Sequence, residues 1–338
     1  MTGECHSTEI QFIHYTTLGK TGLRVSVAGL GCGGNSRIGQ GAGLSEAESI
    51  ALVRAALDLG VNFIDTAAIY GTEGIVGKAI KDRPRESVVI STKSHVNAFD
   101  GSSAAPVGDV LASLEASLRA LDTDYIDIFH LHGLSPKVYD HAMREVVPAL
   151  LREKDKGKFR HLAVSETAPR DPGHTMLERA VEEPAWEVFM LAFHMMNQGA
   201  RNHLLKRTEA NGVGTLCMFA VRNIFSRPGV LRETVADLVS AGKLPPELAA
   251  TDNPLGFLVH EAGAQSVIDA AYRFARHEPG IDVVLFGTSS VEHLRSNIAS
   301  ILRPPLPAAD VKQLHDLFGK LVGVGLDLPD RMQATQKK

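Results

Sequence analysis

The sequence has little of what marks secreted, membrane-spanning or nucleic-acid-binding proteins. Its three cysteines, Cys5, Cys32 and Cys217, are too few for a disulfide framework and do not have the spacing of metal ligands. No apolar run approaches the ~18 residues of a transmembrane helix, and the first residues lack both the basic and the apolar segment of a secretory signal. The 35 basic and 39 acidic residues give a net charge of −4, which offers no electrostatic reason to bind nucleic acid or an anionic membrane. These absences predict a cytoplasmic protein that binds no metal, nucleic acid or membrane.

The composition is that of a globular protein, with 44% hydrophobic and 22% charged residues among 338. Short β-branched runs recur along the chain, and an amphipathic stretch such as Glu46–Leu59 follows each, there with Ser45 as N-cap and Gly60 at the end. Their near-continuous hydrophobicity indicates parallel strands that are covered on both faces. The eight runs are Val25–Leu30, Val61–Thr66, Val88–Lys93, Ile126–His132, Phe159–Ser165, Val188–Phe193, Val213–Phe219 and Val283–Gly287.

Eight strand–helix units predict an α/β fold, a (β/α)8 TIM barrel, with one domain over residues 1–338. We expect its core at residues 15–321, with terminal extensions at 1–14 and 322–338. A doubly wound sheet is the alternative, but the glycines of residues 29–34 lead into an expected loop and not directly into a helix. Outside the repeat, residues 13–25 predict a hairpin around Lys20-Thr21-Gly22. The Pro- and Gly-rich residues 222–265 predict a long connection of the kind that forms lids or binding loops.

Polar side chains stand at the ends of three consecutive predicted strands. Asp65 ends the second strand and Tyr70 follows it, Lys93 ends the third, and His132 ends the fourth. Each residue alone has an ordinary structural explanation, such as a helix cap, a solvated lysine or a buried histidine. Because the active site of a (β/α)8 barrel gathers at the carboxyl ends of its strands, the four together favour a catalytic site.

Several segments resemble the aldo-keto reductase superfamily, from Tyr15 to about Leu321; they are LGKTGLRVSVAGLG, LDLGVNFIDTAAIYG, ISTK, LDTDYIDIFHLH, GKFRHLAVS and VVLFGTSSVEHLRSN. The resemblance implies a barrel closed at the bottom by an N-terminal hairpin. It also implies reduction of an aldehyde or ketone, or the reverse reaction, with NADP or NAD and without a metal.

The family's catalytic tetrad falls on Asp65, Tyr70, Lys93 and His132. His130 points to the same side of the strand and is the competing histidine, although the spacing from Tyr125 favours His132. A phenol with an ordinary pKa of ~10 is a poor acid at neutral pH. The resemblance therefore implies that Lys93 eases proton release from Tyr70, that Asp65 holds Lys93, and that His132 orients the carbonyl group.

The resemblance also implies contacts to the cofactor from eleven positions: Gly33, Gly34, Asp65, Ser165, Glu166, Phe193, Phe219, Gly287, Ser289, His293 and Asn297. Several of these depart from the family pattern. Glu166 replaces the asparagine that bonds the nicotinamide carboxamide, and Met190 replaces a glutamine. Phe193 stands for the tyrosine that stacks on the ring, and Phe219-Ala220 replaces Ser-Pro.

Selectivity between NADP and NAD is expected to be weak. Ser289 stands where members that prefer the 2′-phosphate carry lysine or arginine, and His293 is only partly charged at neutral pH. Gly287 and the helix that begins near Ser290 would receive the phosphates. We therefore predict that either cofactor is usable.

Three functions remain open at this level. The intact tetrad favours a reductase of small carbonyl compounds. The alternatives are an NAD-dependent dehydrogenase of a galactose- or fucose-type sugar, and a non-catalytic, cofactor-binding regulatory protein on the same scaffold. The loops that would select the substrate, residues 35–44, 94–107, 133–137 and 222–265, do not name a ligand, and the sequence leaves the oligomeric state open.

Overall fold

The structure is a computed structural model that describes residues 13–98, 100–227 and 229–328. Cys5, the segment that was examined for a secretory signal, and most of both expected terminal extensions lie outside the described residues. The limits of the single domain therefore stay predictions.

The chain begins with the expected hairpin. Strands β1 (Tyr15–Thr17) and β2 (Arg24–Ser26) pair antiparallel, and Gly22 takes a left-handed φ of 74° in the turn between them. Leu18 and Val25 are fully buried and pack into the bottom of the barrel. The predicted run Val25–Leu30 was wrong as one strand, because the chain leaves the hairpin after Ser26 and the first barrel strand begins at Ala28.

Eight parallel strands close into a barrel, in which each strand pairs with the next one along the chain and the last pairs with the first. The closed sheet confirms the (β/α)8 prediction and excludes the doubly wound alternative. The strands are β3 (Ala28–Gly31), β4 (Phe63–Asp65), β5 (Val89–His95), β6 (Ile126–His132), β7 (Phe159–Ser165), β8 (Val188–Ala192), β9 (Gly214–Met218) and β10 (Val283–Phe286).

Helices separate the strands: α1 (Glu46–Asp58), α2 (Glu73–Ile80), α3 (Val107–Leu121), α4 (Tyr139–His141), α5 (Val147–Asp155), α6 (Thr175–Ala180), α7 (Gly199–His203), α8 (Leu205–Ala210), α9 (Asn223–Ser226), α10 (Val230–Ser240), α11 (Val267–Arg276), α12 (Val291–Leu302) and α13 (Ala308–Phe318). Ser45 caps α1 as predicted, in a capping box with Glu48. Residues 222–265 are not a continuous loop, because α10 buries Val235 and Leu238. Within the described ranges, no helix is both long and apolar enough to cross a membrane.

The barrel interior has an apolar floor below a polar layer. Strand side chains alternate between interior and exterior, and the interior positions near the hairpin are apolar, as at Phe63, Val89 and Ile128. One step nearer the carboxyl ends of the same strands stand Asp65, Ser91 and His130. The polar layer therefore faces the mouth of the barrel, where the sequence placed the catalytic side chains.

Asp127 on β6 points outward and ties three elements together. Its carboxylate accepts bonds from the backbone N–H of Ile90 at 2.9 Å, from Arg85 at 2.7 Å and from Arg160 at 3.3 Å. Only 3% of its side chain is exposed. The two guanidinium groups also lie on the Tyr125 ring, each 4.1 Å from its centroid.

We predict that Asp127→Ala lowers the free energy of unfolding by about 3 kcal/mol, because it leaves the largely buried guanidinium of Arg85 without its carboxylate and the buried N–H of Ile90 without its acceptor. Urea unfolding followed by circular dichroism measures the change. Asp82→Ala is the control, since its bridge to Arg54 is exposed to solvent, and such surface pairs contribute less than about 1 kcal/mol. Equal losses in the two variants would show that the Asp127 network does not stabilise the fold.

Candidate active site

A buried ion pair forms the base of the site. The ammonium of Lys93, at the mouth end of β5, donates to both carboxylate oxygens of Asp65, at 2.7 and 2.6 Å, and to the carbonyl of Thr66 at 2.7 Å. The Lys93 side chain is 0% exposed. Burial opposes its charge, but Asp65 and the phenol of Tyr70 raise the pKa of Lys93 above its ordinary value. Burial raises the pKa of the Asp65 carboxyl, and Lys93 and the hydroxyl of Ser91 oppose that increase.

Tyr70 lies above this ion pair in a loop that is held by a hydrogen bond from Arg37. The short helical turn Ala68–Tyr70 follows β4, and Gly71 ends it with a left-handed φ of 70°. Arg37 donates to the carbonyl of Tyr70 at 3.0 Å, and the Lys93 nitrogen lies 5.3 Å from the centre of the Tyr70 ring. A Cβ atom at Gly33 would lie 2.6 Å from that ring, so the ring requires glycine there.

His132 faces the phenol. Its Nε2 lies 3.5 Å from the hydroxyl of Tyr70, and its ring stacks on His95 with centroids 4.7 Å apart. Burial, together with the charge of Lys93 and the neighbouring histidines, holds the pKa of His132 well below its ordinary value. The ring is therefore neutral at physiological pH.

His130 stands one layer deeper than His132. It is level with Lys93 in the β5–β6 register, whereas His132 is level with His95. His130 is 0% exposed, and its Nε2 lies 3.0 Å from the hydroxyl of Ser91, which in turn donates to Asp65 at 2.8 Å. Both histidines face the interior, as the strand alternation predicted, but the structure places His132 beside Tyr70.

Two cavities meet at Tyr70. A smaller one of about 140 Å³ continues above Tyr70 and His132 to His95 on one side and to Ala168 on the other. A larger cleft of about 670 Å³ leads from the tetrad to the start of α12. Tyr70, Met218 and Phe219 are among the residues that line both. The arrangement matches a small substrate pocket joined to a long cofactor groove.

Glycines let the backbone approach the long cleft closely. A Cβ atom at Gly287 would lie 2.9 Å from the hydroxyl of Ser36, and Gly33 and Gly34 line the cleft beside Tyr70. At its far end lies the start of α12, where Ser290 precedes the helix and caps it by accepting from the N–H of His293. Backbone N–H groups at such a helix start suit anionic phosphate. The described residues therefore fit a dinucleotide.

Residues 319–328, the C-terminal segment that follows α13, cross the mouth of the barrel. Leu326 is 7% exposed and packs with Ala168 and Ala192 beside Met218 and Phe219. Asp327 accepts from Arg222 at 2.8 Å and from the side chain of Asn223 at 2.7 Å. The guanidinium of Arg222 lies 4.1 Å from the centre of the Phe219 ring. Leu326 and Asp327 thus fasten this segment to the wall that the two cavities share.

Residues 29–318 match the family described as the Aldo/keto reductase family. The chain belongs to this family. It is therefore an NAD(P)H-dependent oxidoreductase. The reductase is 28% identical over 303 residues to L-galactose dehydrogenase of Arabidopsis thaliana, covering 86% of this chain and 88% of that protein. It is 27% identical over 322 residues to the aldo-keto reductase YhdN of Bacillus subtilis, covering 90% and 94%.

Solved structures have the same fold. The holo form of an aldo-keto reductase from Bacillus halodurans has a TM-score of 0.70 at 21% identity, covering 90% of the reductase and 96% of that chain. A Klebsiella pneumoniae aldo/keto reductase in complex with NADP and acetate has a TM-score of 0.64 at 24% identity, covering 90% and 95%.

Of the eleven positions of the reductase that were expected to contact the cofactor, seven line the long cleft and four do not. Gly33, Gly34, Asp65, Phe219, Gly287, His293 and Asn297 line it. Phe193 was wrongly placed, because its fully buried ring stacks on Phe274 of α11, behind the barrel wall. The hydroxyl of Ser165 accepts from the N–H of Gly133 at 2.9 Å, and Ser289 does not line the cleft.

Glu166 has partners within the protein, and its predicted contact to the cofactor stays a prediction. Its carboxylate accepts from the backbone N–H of Ala192 and from Nδ1 of His174, both at 2.8 Å, and the side chain is 0% exposed. Burial opposes a charge on His174, but Glu166 raises the pKa of His174 above its ordinary value. The Glu166 side chain is thus hydrogen-bonded within the barrel wall, and the residue borders the smaller cavity and not the long cleft.

Sequence reasoning missed several residues that line the two cavities. Met218 could have been found from the strand alternation, because it follows the interior Leu216 by one full period on β9. Tyr272 on α11 lines the long cleft and Leu328 lines the smaller cavity. No local pattern places these two, because each reaches its cavity from an element outside the barrel strands.

The two interior histidines of the reductase give a sharp prediction. His132→Ala should lower turnover about 100-fold, because it removes a group that can bond the developing oxyanion. His130→Ala should lower stability and change turnover by less than about tenfold, because a single buried hydrogen bond contributes about 1 kcal/mol. Steady-state kinetics and thermal unfolding on both variants measure this. An inactive, folded His130 variant beside an active His132 variant would reverse the assignment.

Proposed function

We propose that this reductase interconverts small aldehydes or ketones and their alcohols, with Tyr70 exchanging the proton of the substrate oxygen. The observation that carries the proposal is the fully buried Lys93–Asp65 pair under a phenol that faces His132. When bound, a reduced nicotinamide supplies the hydride that the carbonyl carbon accepts. The residues of the chain then have to stabilise the oxygen that becomes negative.

Proton donation falls to Tyr70. The Lys93 ammonium stabilises the phenolate that remains once the proton has left. Asp65 fixes the ammonium by two bonds, and the Thr66 carbonyl accepts a third. In the direction of alcohol oxidation, the same phenolate accepts the proton of the alcohol.

Orientation of the substrate falls to His132. Because its ring is neutral, only one nitrogen carries a proton, and Nε2 is the one that faces Tyr70. A proton on Nε2 gives the substrate oxygen a second donor beside the phenol. His95, stacked behind His132, holds the ring plane in place.

Retention of the cofactor falls to the long cleft. Gly33 and Gly34 would border its reacting end, and Phe219 offers an aromatic face there. Gly287, His293 and Asn297 would border the adenosine end. The cytoplasmic location of the protein and the chemical identity of the substrate stay predictions.

Oxidation of a sugar is the second candidate. It is favoured by the 28% identity to L-galactose dehydrogenase over most of both chains. The ordered tetrad favours either enzyme over a non-catalytic regulatory protein. A panel of aldehydes, ketones and aldoses, run with reduced and with oxidised cofactor, separates the two enzymatic functions.

We predict that Tyr70→Phe lowers turnover by a factor of about 10² to 10⁴, because it removes the proton donor and keeps the ring. Cofactor affinity should stay within about threefold, a change worth less than 1 kcal/mol. Steady-state kinetics and isothermal titration calorimetry measure the two effects.

Tyr15→Phe is the matched control. Tyr15 lies in the hairpin at the opposite end of the barrel, where its hydroxyl donates to Gly60 at 2.8 Å. Its removal should leave turnover unchanged. Turnover of the Tyr70 variant within about threefold of the parent would place the proton donor elsewhere, since general acids contribute far more.

We predict weak selectivity between NADP and NAD. Among the described residues that line the cleft, the basic side chains are Arg222 and His293, and Asp327 already accepts a hydrogen bond from Arg222. Calorimetric titration with both cofactors at one salt concentration should give dissociation constants within about 100-fold, or 2.7 kcal/mol. His293→Arg should favour NADP further, because a guanidinium binds phosphate bidentately. A preference of the parent enzyme above about 1000-fold for NADP would contradict the assignment.

A further inference from the structure

The loop between β3 and α1 has a backbone that ordinary residues avoid. Arg37 and Ile38 take left-handed φ angles of 44° and 48° in succession, and Gly39 follows at 90°. Left-handed backbone is unfavourable for any residue with a Cβ atom, and especially for a β-branched one such as isoleucine. Ile38 is nevertheless fully buried. Strain of this kind persists where the surrounding contacts require it, and it is concentrated at functional sites.

The same loop borders the long cleft. Gly33, Gly34, Asn35 and Ser36 all line the cleft. The backbone N–H of Arg37 donates to the carbonyl of Gly33 at 3.2 Å, and this bond closes the four residues into a turn. Arg37 itself lines neither of the two cavities. Arg37 therefore follows directly after the part of the loop that a bound dinucleotide would touch.

The side chain of Arg37 connects this loop to the turn that carries Tyr70. Its Nε donates to the backbone carbonyl of Tyr70 at 3.0 Å, and its Nη2 donates to Oε1 of Gln40 at 3.2 Å. A Cβ atom at Gly71 would lie 3.2 Å from the same Nη2, so the guanidinium group lies against the turn itself. Since Tyr70 is the last residue of that turn, the bond fixes the point from which the phenol extends.

The phenol of Tyr70 has to be placed accurately between two partners. Its hydroxyl lies 3.5 Å from Nε2 of His132, and the nitrogen of Lys93 lies 5.3 Å from its ring centre. Displacing a reacting group by about 1 Å can lower a rate about 100-fold. A turn of three residues is held by few bonds of its own, so the bond from Arg37 limits how far the phenol can move.

We propose that Arg37 is a positioning residue for the proton transfer. Its guanidinium group holds Tyr70 where the phenol meets Lys93 and His132, and the left-handed backbone at Arg37 and Ile38 directs that group to the turn. The proposal rests on the proposed role of Tyr70 as proton donor. The loop after β3 thus has two tasks, because it lines the long cleft with one part and holds the proton donor with the next.

Arg37→Met tests the proposal, because it keeps an unbranched side chain and removes the donor. The single-turnover rate of the full-length protein is measured with NADPH or NADH, whichever binds more tightly, and with the carbonyl compound of the panel that the parent enzyme reduces fastest. This rate reports the chemical step without product release. We expect it to be about 10- to 100-fold lower than in the parent enzyme.

Cofactor affinity and substrate KM show whether the loss is one of positioning. Because Arg37 lines neither cavity, we expect both constants to stay within about threefold of those of the parent enzyme. A single-turnover rate within about threefold of the parent rate would overturn the proposal. A cofactor dissociation constant raised tenfold or more would also overturn it, because the loop would then act on the cleft and not on Tyr70.

Arg37→Lys and Arg54→Met are the matched variants. The bond from Arg37 to Tyr70 is a single one, and an ammonium group is also a donor, so the Lys variant should be at least threefold faster than the Met variant. Arg54 likewise donates through Nε to a backbone carbonyl, that of Ala79 at 3.2 Å, between α1 and α2. Its replacement should leave the rate unchanged. A Lys variant as slow as the Met variant, or an equal loss in Arg54→Met, would overturn the proposal.

A double variant separates positioning from a general structural effect. If Arg37 acts through Tyr70, adding Arg37→Met to Tyr70→Phe should lower the rate by less than about threefold further, because the hydroxyl that it positions is already absent. A further loss of tenfold or more would overturn the role of Arg37 and leave the proposed function intact. A Tyr70→Phe variant as fast as the parent enzyme would instead overturn the proposed function and the role of Arg37 with it.

Discussion

The ion pair of Lys93 and Asp65 is the constraint on which the rest of the site depends. Moving two such charges out of water costs several kcal/mol per ion, and the cost is offset only where every polar atom finds a partner. Here the Thr66 carbonyl and the Ser91 hydroxyl complete the pair. A polar layer must therefore lie above the apolar floor, and a slip of β5 by one residue would turn Lys93 out of the barrel. Burial, together with the charge of Lys93, holds the pKa values of His130 and His132 well below their ordinary value, so both rings are neutral.

The features that depend on strand periodicity were predictable from the sequence. The bounds of β6 and β7 are those of the predicted runs, and the side chains at the strand ends converge because parallel strands end at one face of the barrel. Asp65, Lys93 and His132 meet around Tyr70 for this reason. Alternation turned both His130 and His132 inward, and the spacing from Tyr125 in the resembled family ranked His132 first; in the register His132 lies one layer nearer the mouth.

Sequence reasoning was incomplete where elements outside its own strand position a side chain. Glu166 is held by the N–H of Ala192 on the neighbouring strand and by His174 on the following loop, and neither bond has a local signal. Phe193 is a different case. Strand alternation from the interior Met190 already points Phe193 outward, but the resemblance to the family's stacking aromatic led to the opposite prediction. Tyr272 reaches the cleft from a helix, where strand alternation gives no information.

The C-terminal segment forms one side of the entrance to the active site, and it belongs to none of the loops that follow the barrel strands. Leu326 packs against Ala168 and Ala192, and the neighbouring Asp327 accepts a hydrogen bond from Arg222. A protein shortened ahead of Leu326 would present Met218 and Phe219 to water and would widen the opening on that side. Leu326 and Asp327 thus help to set the size of molecule that can enter the active site, so substitutions at these two positions offer a route to a different substrate range that leaves every barrel loop intact.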